Sequence, residues 1–254
     1  MKKLVLTLTA AILMGSMSAS AQRVKNVYTE GKTLNVEQVH NTEQPAQLNR
    51  YLMAGYNTLC LPLSMTAEQL GAAGITVERF AGIRQVGNTL QLLFVDCTAE
   101  GVEAGVPYLI NSAKSQFLRV KNTEAAGFST DLTTIRLTDN RGNQVAFSSS
   151  WESQQREGRY GIPAKQNVTP LESVLVRTTT ELSFLPTRCG FDWERQSSTA
   201  EKLEIVHVNA SEVTAINSVR SDAAGAQEVY DLSGRKHSAP VKGINIINGK
   251  KVVK

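Results

Sequence analysis

The feature that most narrows what this chain can fold into is a series of short apolar runs rich in β-branched residues. They are YNTLCLPL (56–63), ITVERFAGI (75–83), TLQLLFVDC (89–97), PYLI (107–110), FLRV (117–120), TIRL (134–137), QVAFS (144–148), SVLVRT (173–178), ELSFL (181–185) and KLEIVHV (202–208). Gly, Asn and Asp punctuate them, as in DNRGN at 139–143. Strand-length runs separated by turn residues at a spacing of roughly 8–12 residues predict an all-β fold, an antiparallel sandwich or barrel.

One helix stands out against this pattern. Thr66-Ala67-Glu68-Gln69 ahead of Leu70 matches a capping box, in which the Thr hydroxyl and the Gln amide satisfy each other's backbone N–H groups. It predicts about two turns across a sheet end, between the Cys60 and Val77 strands. The segment from Gln22 to about Asn49 is polar, with strand-like pieces in VKNVYTE (24–30) and TLNVEQV (33–39). NASEVTAINSVRSDAAGAQ (209–227) is rich in Ala, Ser, Asn and Asp and reads as a linker with one short strand from Val213 to Ile216. The predicted organisation is a β-sandwich domain over 22–208, a linker over 209–217 and a small antiparallel β unit over 218–254. In that last unit Gly234 opens a turn and Asn248-Gly249 is a two-residue hairpin signal.

The two ends suggest a route. Lys2 and Lys3, the apolar run Leu4–Leu13 and Ala19-Ser20-Ala21 form a secretory signal-peptide pattern over 1–21, with cleavage before Gln22. The apolar run is too short for a membrane anchor, which needs about 20 residues. The formal net charge of +4 shrinks once Lys2 and Lys3 leave, and so small a value gives no reason to expect a nucleic-acid partner. At the other end no acidic residue follows Asp231.

Three cysteines, Cys60, Cys97 and Cys189, permit at most one internal bridge in an exported protein. Cys60 and Cys97 lie in apolar, strand-like runs. They read as buried thiols, with a Cys60–Cys97 disulfide as the alternative.

Residues able to do chemistry are sparse. His40, His207 and His237 have neither histidine nor cysteine at helical or strand spacing, so no metal site is predicted. The cysteine contexts lack a neighbouring base. Cys189 follows Arg188, whose charge favours a thiolate. No phosphate-binding loop, nucleophile elbow or EF-hand loop occurs. No catalytic residue and no cofactor is expected. Asp192 and Glu194 bracket Trp193, and as strand residues they would share one face with Trp193 on the other.

The tail resembles the C-terminal sorting domain of type IX secretion cargo. The residues that carry the resemblance are Tyr230-Asp231-Leu232, Gly234-Arg235, Lys242-Gly243-Ile244, Asn248-Gly249-Lys250-Lys251 and the terminal Lys254. Two residues after Gly243, where the family has an aromatic side chain, this chain has Asn245. The resemblance implies export to the periplasm and engagement of the outer-membrane type IX translocon and its sorting machinery. It also implies removal of the tail by a cut between Ser211 and Val219, and joining of the new end to anionic lipopolysaccharide. GYNTLCLPLSMTAEQL with the later VEAGVPYLI is similar to a surface β-domain of the same bacteria, which has Trp and Phe where Tyr56 and Leu63 stand here. Short PorA-like members of this cargo group pass a signal to envelope regulators.

The resulting expectation is a non-enzymatic protein of the outer-membrane surface or the secreted fraction, with an envelope signalling protein as one partner. The competing readings are a carbohydrate-binding module built on Trp151 and Trp193 with nearby acids, and a structural subunit of an adhesin or fimbria.

Overall fold

The computed structural model describes residues 24–40, 44–163, 175–179 and 183–213, and the backbone of four strands between 229 and 253. In chain order the first elements are β1 (Lys25–Thr29), α1 (Val36–His40), β2 (Ala46–Leu52), β3 (Gly55–Leu59), α2 (Ala67–Ala73), β4 (Ile75–Val86) and β5 (Thr89–Asp96). Then come β6 (Tyr108–Ser112), β7 (Gln116–Lys121), β8 (Ile135–Thr138), β9 (Asn143–Ser149), β10 (Gln154–Gln155) and β11 (Tyr160–Gly161). The body closes with β12 (Val176–Arg177), β13 (Ser183–Phe184), β14 (Cys189–Arg195) and β15 (Lys202–His207). The fold is all-β and sandwich-like.

Three sheets stack. The middle one has the order β15-β5-β4-β6-β3; a three-stranded sheet, β1-β2-β7, covers one face and a five-stranded sheet, β12-β11-β14-β9-β8, covers the other. Alternation along the middle strands decides which side chain goes where. Leu59, Leu61, Ile75, Val77, Tyr108 and Ile110 meet Leu48, Leu52, Leu118 and Val120 in a largely aliphatic first core. Cys60, Phe80, Ile83, Leu92, Phe94 and Leu109 meet Val145, Phe147, Cys189 and Phe191 in the second. A sheet buried on both faces needs apolar residues at consecutive positions, and the unbroken runs LCL (59–61), YLI (108–110) and LLFV (92–95) supply them. Where β4 passes Phe80 the register against β5 shifts at Ala81, so that Phe80 and Ile83 end on the same face.

The second core is organised by four phenylalanines. Phe147 and Phe191 are directly opposed in β9 and β14, and Phe80 and Phe94 in β4 and β5. The Phe147–Phe191 pair is stacked at 4.4 Å, and Phe80 and Phe94 meet it edge-on at 5.9–6.1 Å. Edge-to-face contact suits the ring quadrupoles and adds to the burial term.

Thr66 caps α2 as predicted. Its hydroxyl accepts from Gln69 N at 3.2 Å and the Gln69 side chain accepts from Thr66 N at 2.8 Å. Gly74 ends the helix at φ 64°, a left-handed conformation that glycine adopts without a Cβ clash.

Several local expectations need correction. TLNVEQV is not a strand: Val36–His40 is a helical turn, started by Asn35 Oδ1 accepting from Gln38 N at 3.3 Å. The chain therefore has a second short helix. Ala46–Leu52 is a strand inside a segment read mainly as polar. Two pairings are parallel, β1 with β2 and β15 with β5, whereas hairpin-like spacing predicted antiparallel neighbours throughout. Val213 lies in a helical turn that includes residues 210–213 rather than starting a strand; residues 214–216 lie outside the described residues, as do residues 1–21, where the signal peptide is expected. Cys60 and Cys97 are free and buried, as their apolar contexts predict, and so is Cys189. Cys60 lies in the second core and Cys97 in the first, so a Cys60–Cys97 bridge would have to cross the middle sheet.

Candidate functional site

The groups best placed to recognise a partner or to hold the layers in register are charged and aromatic side chains at the layer seams. The most buried is Arg50 on β2, with 0 % of its side chain exposed. An isolated buried guanidinium is strongly disfavoured, so its neighbours must compensate. Glu30, just after β1, takes that role. One of its oxygens accepts from Arg50 Nη1 and from Tyr51 N at 2.9 Å; the other accepts from Arg188 Nε at 2.9 Å and Nη2. Arg50 also donates to the Tyr51 carbonyl at 2.6 Å, while its Nε has no partner. Tyr28 completes the knot, its hydroxyl donating to the Pro186 carbonyl at 3.0 Å.

The knot joins the first sheet to the turn that enters β14. Thr187 in that turn is buried and takes φ 70°, a costly conformation for a β-branched residue, held because its carbonyl accepts from Cys60 N at 3.0 Å. Burial and, next, the nearby Arg188 charge lower the Arg50 pKa to about 10, against the pull of Glu30. Arg50 therefore stays protonated at neutral pH, and the knot carries two positive charges and one negative.

A second buried arginine serves the outer five-stranded sheet. Arg159 Nη2 donates to Ser148 O at 2.6 Å, Ser148 Oγ at 2.7 Å and Gly190 O at 3.1 Å, and its guanidinium lies 4.9 Å from the centre of the Phe184 ring. The space exists because position 190 is glycine: a Cβ there would stand 2.5 Å from Arg159 Nε and 2.7 Å from the Phe184 ring.

The tryptophans do not form an open platform. Trp193 packs on the second core, its indole N–H donates to Asn143 Oδ1 at 3.0 Å, and Arg195 lies over its ring at 4.8 Å. Trp151 packs against both cores and donates to the Thr130 carbonyl at 2.6 Å. Asp192 is ion-paired with Arg156 at 3.3 Å. Alternation places Asp192 and Glu194 on the face opposite Trp193, so acids and indole do not line one groove.

Two surface features stand out, of which only the hydrogen-bonded strand histidine was legible in the sequence. On β7, the edge strand of its sheet, Phe117 is 46 % exposed and pairs with Tyr51 at 5.1 Å between ring centres. Beside it a groove of about 350 Å³ runs between α2 and β7, lined by Gln69, Ala72, Ala73, Phe117 and Arg119 among others. On the middle sheet His207 stacks on Tyr56 at 4.7 Å and shares a hydrogen bond of 2.6 Å with Glu78. His207 is thus a hydrogen-bonded residue at the end of the last body strand. Among the described residues no cluster of His, Cys, Asp and Glu could hold a metal ion, and no helix is long and apolar enough to cross a membrane. His237 lies on a strand of the tail and His40 stacks on Phe128.

No protein-family model, curated protein or solved structure matches the chain. The strands of the tail are β16 (Val229–Asp231), β17 (Lys236–His237), β18 (Ile244–Ile247) and β19 (Lys250–Val253), antiparallel in the order β17-β16-β18-β19. One register row runs Lys236–Tyr230–Ile246–Lys251 and brings two residues of the sorting pattern, Tyr230 and Lys251, into line; Asp231 stands opposite Asn245, and Lys250 opposite Ile247. Leu232, Gly234, Arg235, Lys242, Gly243, Asn248, Gly249 and Lys254 lie outside the described residues.

Proposed function

We propose that this chain is a non-enzymatic protein of the bacterial cell envelope, delivered by type IX secretion, whose three-layered body acts as a binding or signalling module. The observation that carries this reading is the tail. Residues with the sorting-domain pattern fall in a segment whose described strands pair with one another and keep Tyr230 and Lys251 in one row. The signal-peptide pattern at 1–21 agrees with the same route. The body supports a binding role through its doubly covered middle sheet, with the groove between α2 and β7 as the surface offered to an envelope partner. The carbohydrate-binding alternative is less favoured, since Trp151 and Trp193 are partly buried against the cores and their indole N–H groups are taken up by the Thr130 carbonyl and Asn143.

The test is deletion of Lys250–Lys254 with the rest of the chain unchanged. The body is expected to fold normally and to accumulate in the periplasm. Mass spectrometry of the intact chain's ends is expected to give a surface form that starts at Gln22, ends between Ser211 and Val219 and carries added glycolipid mass. Arrival of the truncated chain at the cell surface would overturn the reading.

A further inference from the structure

The three thiols divide unequally between the two cores. Cys97 is alone in the first, whereas Cys60 and Cys189 share the second. The segments that carry this pair are clasped by their own backbones. Thr58 Oγ1 accepts from Cys189 N at 2.9 Å and donates to Cys189 O at 3.0 Å. Two residues further on, Cys60 N donates to Thr187 O at 3.0 Å. The Ser149 hydroxyl lies against both thiols and donates to the Arg188 carbonyl at 2.8 Å. Ser149 itself is directly opposite Cys189 in the β9–β14 pairing. Both cysteines are thus fixed to one seam, where the middle sheet meets the outer five-stranded sheet. A disulfide needs Cα atoms within about 7 Å and converging side chains, and the three hydrogen bonds between the segments together with the shared Ser149 contact hold the two cysteines at the same seam.

We propose that Cys60 and Cys189 are joined by a disulfide when the chain folds in an oxidising environment, with Cys97 left as the odd thiol. The part of this inference that concerns the living cell rests on the envelope reading above, because disulfides persist where the compartment is oxidising. In the reaction the two thiols lose two protons and two electrons and form one Sγ–Sγ bond. The acceptor is a disulfide, for example oxidised glutathione, which is reduced to two thiols. Exchange requires a thiolate. Burial raises the pKa of both thiols, that of Cys189 to about 12, so the bond forms while the second core is still assembling. Once closed inside the core it is shielded from external thiols. The link would tie β3 to β14 and enclose most of the body in one loop.

The experiment is to unfold and reduce the full-length chain, refold it in a buffer of oxidised and reduced glutathione, and count thiols in denaturant without reductant. One free thiol per chain is expected, at Cys97, with a Cys60–Cys189 linked peptide in the digest. Cys97→Ala is expected to leave no free thiol and to keep the same linked peptide, which removes any contribution from that residue. Three free thiols, glutathione adducts on Cys60 or Cys189, or a link through Cys97 would overturn the proposal. The same digest of chain recovered from the cell envelope separates the two readings. A link that forms on refolding but is missing there counts against the oxidising compartment and leaves the assignment of the pair intact.

Discussion

The two faces of the middle sheet are held in different ways. On one side four phenylalanines from two cross-strand pairs interlock, with the Thr58–Cys189 and Asn143–Gln85 hydrogen bonds beside them. On the other, an aliphatic core is bordered by the Glu30–Arg50–Arg188 knot and by a capped helix. Aliphatic packing by itself has little angular preference, so the first core alone leaves room for small sliding of its layers. A carboxylate that accepts four hydrogen bonds from fixed donors tolerates none. The knot therefore sets how the first sheet sits on the rest, and the aromatic quartet supplies cohesion.

Substitutions can separate these roles. The largest effect is expected for Phe191→Ala, which leaves a cavity against the stacked Phe147. It should cost about 3–5 kcal/mol, read as a lower midpoint in denaturant unfolding monitored by circular dichroism. Glu30→Gln removes the charge that balances two buried guanidinium groups. A loss of about 3 kcal/mol is expected, at the low end of the cost of breaking a buried pair because the amide keeps one acceptor. Its particular signature is that amide exchange should rise in β1 and β2 while β9 and β14 stay protected. Uniform loosening of all three sheets would refute the division of labour. Thr66→Ala, which deletes the α2 cap, should cost about 1 kcal/mol and lower the thermal midpoint by a few degrees without changing the unfolding cooperativity.

Much of the fold could be read from the chain because the middle sheet's runs are apolar at nearly every position and the turns between them carry Gly, Asn or Asp. The α2 cap was equally plain, since a capping box is a local exchange of hydrogen bonds. β2 was obscured because its outward Gln47, Asn49 and Tyr51, together with Arg50, read as solvent-facing. Arg50 turns inward because Glu30, itself held by Arg188, waits for it, and pairs 20 and 158 residues apart leave no local trace. The helical turn at α1 was hidden by β-branched Val36 and Val39, whose intrinsic preference is overridden by the Asn35 cap and the burial of Val39. Strand direction was also out of reach. Alternation marks a strand but not whether its neighbour runs with it or against it, and the parallel β15–β5 pairing is such a case.

That pairing has a consequence for how the molecule can be made. β15 enters from the far end of the body and lies against β5, with Lys202–His207 matched to Thr89–Phe94. Until it arrives, the outer rim of the middle sheet is β5, whose LLFV stretch (92–95) is apolar at four successive positions. An uncovered rim of that kind is a template for another chain's strand. A growing polypeptide therefore carries an adhesive border until nearly all of its body has been made, and β15 acts as the cover that takes this apolar strand off the rim.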